Sequence, residues 1–154
     1  MLNVFLLAFG QPESLENLGD FIERVTGRAP SKEAVSAARE RYELIGGKSP
    51  LIEITQKQAQ KLKVLLEEDG TTTRVYSGFR YSQPYIADVV AEASAGSRQC
   101  SLSRKEKAVV IALAPQYSDI SVGAYLKLFD EAHEAAGCPF VAKKVRSYGT
   151  HPLF

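Results

Sequence analysis

Four short stretches carry side chains suited to gripping a ligand. Arg80-Tyr81 sits in Gly78-Phe79-Arg80-Tyr81-Ser82-Gln83-Pro84, Gln116-Tyr117-Ser118 follows Pro115, and Tyr148 follows Ser147. The fourth, Tyr42 to Leu51, joins an aromatic ring, two glycines, Ser49 and Pro50. Tyrosines offer a flat apolar face with a polar rim, and a guanidinium stacks on such rings and pairs with anions. The three tyrosines at strand exits, with one Arg, suit a flat, aromatic, acidic ligand, although tyrosines also finish strands for packing reasons. Each residue keeps a second reading. Arg80 makes a surface ion pair while Tyr81 packs on the following helix, or Arg80 holds an acidic group over a ligand plane while Tyr81 lines the wall. Ser49 simply caps the helix opened by Pro50, or its hydroxyl and free helix-end amides hold a carboxylate. Tyr42, in the last turn of its helix, closes the core.

Other chemistries are not signalled. Gly46-Gly47 lacks the Gly-Lys-Ser/Thr ending of a phosphate loop, and Gly10 stands outside any GxGxxG. His133 lies inside an amphipathic helix and reads as a solvated or half-buried helix residue; His151 lies in the terminal segment. Cys100 and Cys138 have neither zinc spacing nor a disulfide framework and read as reduced thiols. No metal site built from the chain's own residues is expected, although carboxylates remain able to hold a hard ion.

The 154 residues suffice for a single core, with 45% hydrophobic and 24% charged residues. A net charge of +1 and scattered basic residues give no footprint for nucleic acid. No apolar run reaches the ~18 residues of a membrane span, and the first residues lack a signal peptide's basic region and cleavage site. A cytoplasmic location follows as the expectation.

The elements that must position these side chains alternate. Leu2–Phe9 is a nearly continuous apolar run suited to a strand buried on both faces. Gly10-Gln11-Pro12 turns the chain, and Ser14 is read as the cap of a helix to about Val25. A second helix follows Ser31 and stops at Gly46-Gly47, and a third covers about Ile52–Glu68. Thr71–Phe79 reads as a strand, with Pro84 opening a helix to about Ala95. Gly96–Lys107 reads as a mobile polar loop and Ala108–Ala114 as a buried strand. Ser121 is read as capping a helix to Gly137, Phe140–Val145 as the last strand, and Arg146–Phe154 as its tail. Alternation of this kind predicts an α/β domain with a four-stranded parallel sheet and right-handed crossovers. Ligands in such sheets sit beyond the carboxyl ends of the strands. Gly10–Pro12, Phe79–Pro84, Pro115–Ser118 and Ser147–Thr150 should gather there.

Three stretches together resemble the amino-terminal half of ferrochelatase. They are Arg41-Tyr42-x-x-Ile45-Gly46-Gly47-x-Ser49-Pro50-Leu51 with Thr55-x-x-Gln58-Ala59, Tyr76-x-Gly78-Phe79-Arg80-Tyr81-x-x-Pro84, and Pro115-Gln116-Tyr117-Ser118. The tail Tyr148-Gly149-Thr150-His151 is similar to the family's aromatic-Pro-Thr-His segment. The resemblance implies a flavodoxin-like, chelatase-like three-layer sandwich, one of two similar halves facing a porphyrin cleft. It implies insertion of Fe²⁺, a substrate rather than a bound cofactor, into protoporphyrin IX or coproporphyrin III. Tyr42 and Ser49 then resemble the porphyrin lip, Arg80 and Tyr81 the wall on the metal side, and Gln116, Tyr117 and Ser118 the loop beside the macrocycle. Phe9, Gly10 and Pro12 border the cleft. Arg28, in Gly27-Arg28-Ala29-Pro30, resembles a basic propionate contact.

The chain departs from the family at Tyr148, where many members carry Trp, and in the polar length of Gly96–Lys107. The Ser-x-His motif and its partner glutamate belong to the family's second half and have no counterpart in this sequence. Metal insertion needs a bent macrocycle, a base for the pyrrole protons and a metal that sheds water. The sequence offers the grip and no evident base. Three expectations stand: a half that works with a second half-chain and is at best weakly active alone, a non-catalytic tetrapyrrole-binding module, or a small homodimeric chelatase using His151 or, less readily, His133.

Overall fold

The computed structural model describes residues 1–98 and 106–154. Four parallel strands, β1 (Leu2–Ala8), β2 (Thr73–Phe79), β3 (Glu106–Ala112) and β4 (Phe140–Val145), lie in the order β2-β1-β3-β4. β1 pairs Leu2 to Thr73 on one side and Leu2 to Lys107 on the other, so both its edges are covered. That position explains its nearly continuous apolar run: residues 3–8 are all buried, the polar Asn3 among them.

Successive β1 side chains point to opposite faces. Val4 and Leu6 meet Ala59, Leu62 and Leu66 of α3 (Leu51–Glu68). Phe5 and Leu7 meet α4 (Ile86–Arg98) and α5 (Ala124–Ala135) on the other face. The result is the three-layer α/β sandwich. Phe5 anchors the second layer, its ring 5.2 Å from Tyr76, 5.1 Å from Phe129 and 5.7 Å from Phe140. Two further helices, α1 (Leu18–Thr26) and α2 (Lys32–Glu43), follow β1 and pack on each other. As predicted, α2 is capped by Ser31, whose Oγ accepts from the Ala34 N–H at 3.2 Å. It ends at Glu43, three residues before the expected glycines; Gly46 and Gly47 follow at φ 85° and 80°, and the Gly47 N–H donates back to the Tyr42 carbonyl.

Four other expected boundaries differ. Ser14 does not cap α1; its Oγ bonds Asn17 instead, and the helix starts at Leu18. Pro84 lies before α4, because its carbonyl accepts from the Phe79 N–H at 2.9 Å and so closes the β2 exit loop. The helix is started by Asp88, which accepts from the Tyr85 N–H at 2.9 Å, the reach-back half of a capping box. Ser121 sits inside a π-helical turn (Asp119–Gly123) that leads into α5, and the Ser118 carbonyl accepts from both the Ser121 and Gly123 N–H groups. Of the loop expected over 96–107, residues 96–98 continue α4 and 106–107 open β3. Gly96, inside α4, leaves the room that Arg74 fills, since a Cβ there would lie 2.5 Å from its Nη1. The rest, with Cys100, lies outside the described residues.

Candidate ligand edge at the strand exits

The sheet order fixes where a site can form. In a 2-1-3-4 sheet the chain leaves β1 and β3 in opposite directions, which opens a crevice at their carboxyl ends. Backbone bonds draw the exits together. The Arg80 and Tyr81 N–H groups donate to the carbonyls of Ala8 and Phe9, each at 3.0 Å, and the Leu113 N–H donates to Leu7 at 2.7 Å. The Pro115 carbonyl accepts three donors, Ser147 Oγ at 2.9 Å and the Tyr148 and Gly149 N–H groups at 3.0 Å. All four segments named from the sequence therefore meet at this edge, joined in pairs.

Gly10 sets the closest approach. Its φ is 102°, and a Cβ would lie 2.5 Å from Ser82 Oγ and 3.0 Å from the Ser82 nitrogen. With that space free, the β1 and β2 exits interlock, and the Gln11 N–H donates to Ser82 Oγ at 3.2 Å.

Side chains on this frame form an aromatic wall. Phe9, 41% exposed, lies 4.8 Å from the Tyr81 ring and 6.2 Å from Phe21 of α1. The Arg80 guanidinium stands 4.8 Å from the Tyr81 centroid, and its Nη1 donates to the Ile120 carbonyl at 3.0 Å. Arg80 makes no ion pair among the described residues, and the Tyr81 ring meets Phe9 and, at 6.5 Å, Phe21 of α1. Burial pushes the nearby Tyr125 phenol up, with the Arg80 charge pulling it back.

A second unit stands beside β3 and β4. The Tyr117 hydroxyl donates to Asp119 Oδ1 at 2.7 Å, and the Arg146 guanidinium lies 4.3 Å from the Tyr117 ring centre. The bond to Asp119 raises the Tyr117 pKa. Ser118 is extended and anchors the π turn through its carbonyl; Gln116 is exposed beside Gly149. Tyr148 is half-buried against Phe154, and burial raises its phenol.

The lip is tied down by its own chain. Ser49 Oγ accepts from the Leu51 N–H at 3.3 Å, and Gln11 Oε1 accepts from the Ile52 N–H at 3.2 Å. Two amides of the α3 N-terminus are thus already engaged, where the sequence alone had left them free for a carboxylate. Ser49 keeps its hydroxyl proton as a donor. Tyr42 is half-buried in the last turn of α2, its phenol raised by burial, and Pro12 is buried. Arg28 is not brought in: it follows α1 on an exposed loop, and among the described residues no contact joins it to the aromatic wall.

Sequence reasoning missed Gln11, Ser82, Asp119 and Arg146. Their polarity at strand exits was visible, but the partners lie 41, 71 and 29 positions away for Gln11–Ile52, Gln11–Ser82 and Tyr117–Arg146. His133 is committed to structure. Its ring stacks between Phe129 and Phe140, and Nε2 accepts from the Phe140 N–H at 3.2 Å. Among the described residues no group of three or more His, Cys, Asp or Glu side chains is placed to hold a metal ion, and no helix is long and apolar enough to cross a membrane.

An α/β sandwich of flavodoxin-like order, with an aromatic and guanidinium-bearing edge at the exits of its strands, is the class these features define. A family model described as Ferrochelatase matches residues 2–154, and the chain belongs to that family. It is 36% identical over 157 residues to the coproporphyrin III ferrochelatase of Anoxybacillus flavithermus, covering 100% of this chain and 47% of that protein. It is 32% identical to the ferrochelatase of Herpetosiphon aurantiacus (98% of this chain, 48% of that protein). It is 33% identical to the coproporphyrin III ferrochelatase of Bacillus subtilis (99% and 48%). The chain thus spans about half the length of the curated relatives it matches.

Proposed function

We propose that this chain forms one wall of a cleft in which ferrous iron is inserted into a carboxylate-bearing porphyrin, protoporphyrin IX or coproporphyrin III, for haem synthesis. The observation that carries this reading is the wall itself: Phe9 and Tyr81 side by side at the exits of β1 and β2, with Arg80 reaching across to Ile120 after β3, in a chain of the ferrochelatase family. The macrocycle would lie on the Phe9 and Tyr81 rings, with Tyr117 and Gln116 beside it. Arg80 would face its metal side, and the Ser49 hydroxyl would donate to a propionate. The iron is substrate, and it replaces two pyrrole protons, which a base must accept. Those protons and the opposite wall call for a complementary surface, from a second half or a second copy, docking across the exposed Tyr117–Ile120 edge.

Absorbance titration of the chain with coproporphyrin III tests the grip. Saturable binding that shifts the porphyrin spectrum is the expected result, with slow or no metalation by the chain alone; absence of binding removes the reading. Rapid iron or zinc insertion by the purified chain would instead place the base within it.

A further inference from the structure

We propose that Gln11 is a positioning residue that sets the lip formed by residues 42–51 against the aromatic wall. Gln11 is 4% exposed, and both ends of it are used. Its N–H is fixed to Ser82 Oγ, on the exit of β2, at 3.2 Å. Its side-chain Oε1 accepts from the Ile52 N–H, in the first turn of α3, at 3.2 Å. The neighbouring Gly10 lets Ser82 approach so closely that this end of the residue cannot drift. One residue therefore links the loop bearing Phe9, the loop bearing Tyr81 and the helix whose start carries Ser49.

The acceptor lies on the positive end of an 18-residue helix, where an oxygen satisfies an otherwise orphaned donor. The reach matters as much as the chemistry, since Asn is one methylene shorter and Leu offers no acceptor. The separation between lip and wall, and with it the width of the edge a ligand enters, follows from a single buried amide. Gln11 acts through Ile52 and does not need to touch the ligand.

This inference rests on the porphyrin reading for its ligand, but the tether is measurable without it. Three chains are compared: unaltered, Gln11→Leu and Gln11→Glu, the last keeping an acceptor at the same reach. Amide hydrogen exchange at Ile52 and across residues 42–51 reads the tether, and coproporphyrin III titration reads its effect on binding. Gln11→Leu should exchange faster at Ile52 and bind about tenfold more weakly, the effect of losing one hydrogen bond to a partly buried amide. Gln11→Glu should keep both protection and affinity within about twofold. Equal exchange in all three chains overturns the proposal. So does loss of protection in Gln11→Leu with unchanged affinity, which would leave a cap and nothing more. Weak binding by Gln11→Glu with Ile52 still protected also overturns it, by putting the amide on the ligand. If the unaltered chain binds no porphyrin, the proposed function falls, and the exchange comparison alone decides the tether. Should Gln11→Leu fail to fold, Gln11→Asn supplies the acceptor-out-of-reach variant.

Discussion

Arg80 donates from Nη1 to the carbonyl of Ile120, forty positions along the chain, at 3.0 Å. The same guanidinium lies over the Tyr81 ring, so one side chain joins the β2 exit to the π turn before α5. Lysine carries the charge but neither the fork nor the flat face. If the chain grips a porphyrin as proposed, Arg80→Lys should weaken that binding by about 1–2 kcal/mol, roughly five- to thirtyfold. Its unfolding midpoint in urea should stay close to that of the unaltered chain, because the bond is exposed. Equal affinity for the two chains would show that the guanidinium is not part of the grip.

Gly10→Ala places a methyl against Ser82 at a backbone angle that L side chains rarely adopt. Both penalties act, and the loss of stability should be about 2–4 kcal/mol. Urea unfolding measures it, and Ser82→Gly in the same chain should recover only the part due to the hydroxyl contact.

Phe129 is fully buried between Phe5 and His133. Phe129→Ala should cost about 3–5 kcal/mol, a large share of a domain's ordinary stability. Circular dichroism against temperature reads the loss. Phe129→Leu keeps most of the volume and should cost well under half as much.

The phenols of Tyr42, Tyr76, Tyr125 and Tyr148 are all raised above the ordinary value of 10.0, with burial the largest cause in each. A pKa raised by folding means that the folded chain holds its proton longer than the unfolded one. The stability tied to these groups is thus fully present below pH 10.0 and is lost as pH rises beyond it. Urea midpoints should be flat on this account at pH 8 to 9 and fall above 10.0. Tyr117 titrates late for another reason, its bond to Asp119. In Asp119→Asn the late tyrosinate absorbance of this one ring should move back toward 10.0.

Period and punctuation made most of this fold legible. The apolar run of β1 announced a central strand because a strand covered on both faces has no polar side to show. The Gly46-Gly47 stop was readable because few residues adopt positive φ easily. The misplaced starts at Ser14, Pro84 and Ser121 share one cause. Each has the residue type of a helix start, but its local bonds close a turn instead. The strand-exit segments were found because parallel sheets put their ligands there, whereas the tether that Gln11 makes within one of them was not. A glutamine in a turn looks like any solvated polar residue until the helix amide it serves, 41 positions away, is in place.

The aromatic wall and its guanidinium are contributed by chain segments that meet only when three strands have paired. Phe9 and Tyr81 are neighbours in space through β1–β2 pairing, and Arg80 finds Ile120 only once β3 has joined. High sequence separation of this kind makes assembly slow, since loop closure must precede the contacts that reward it. No early local fragment of the chain holds the wall, so ligand affinity should appear in one step with the finished domain. A ligand that saturates this edge consequently draws the whole folding equilibrium toward the native state.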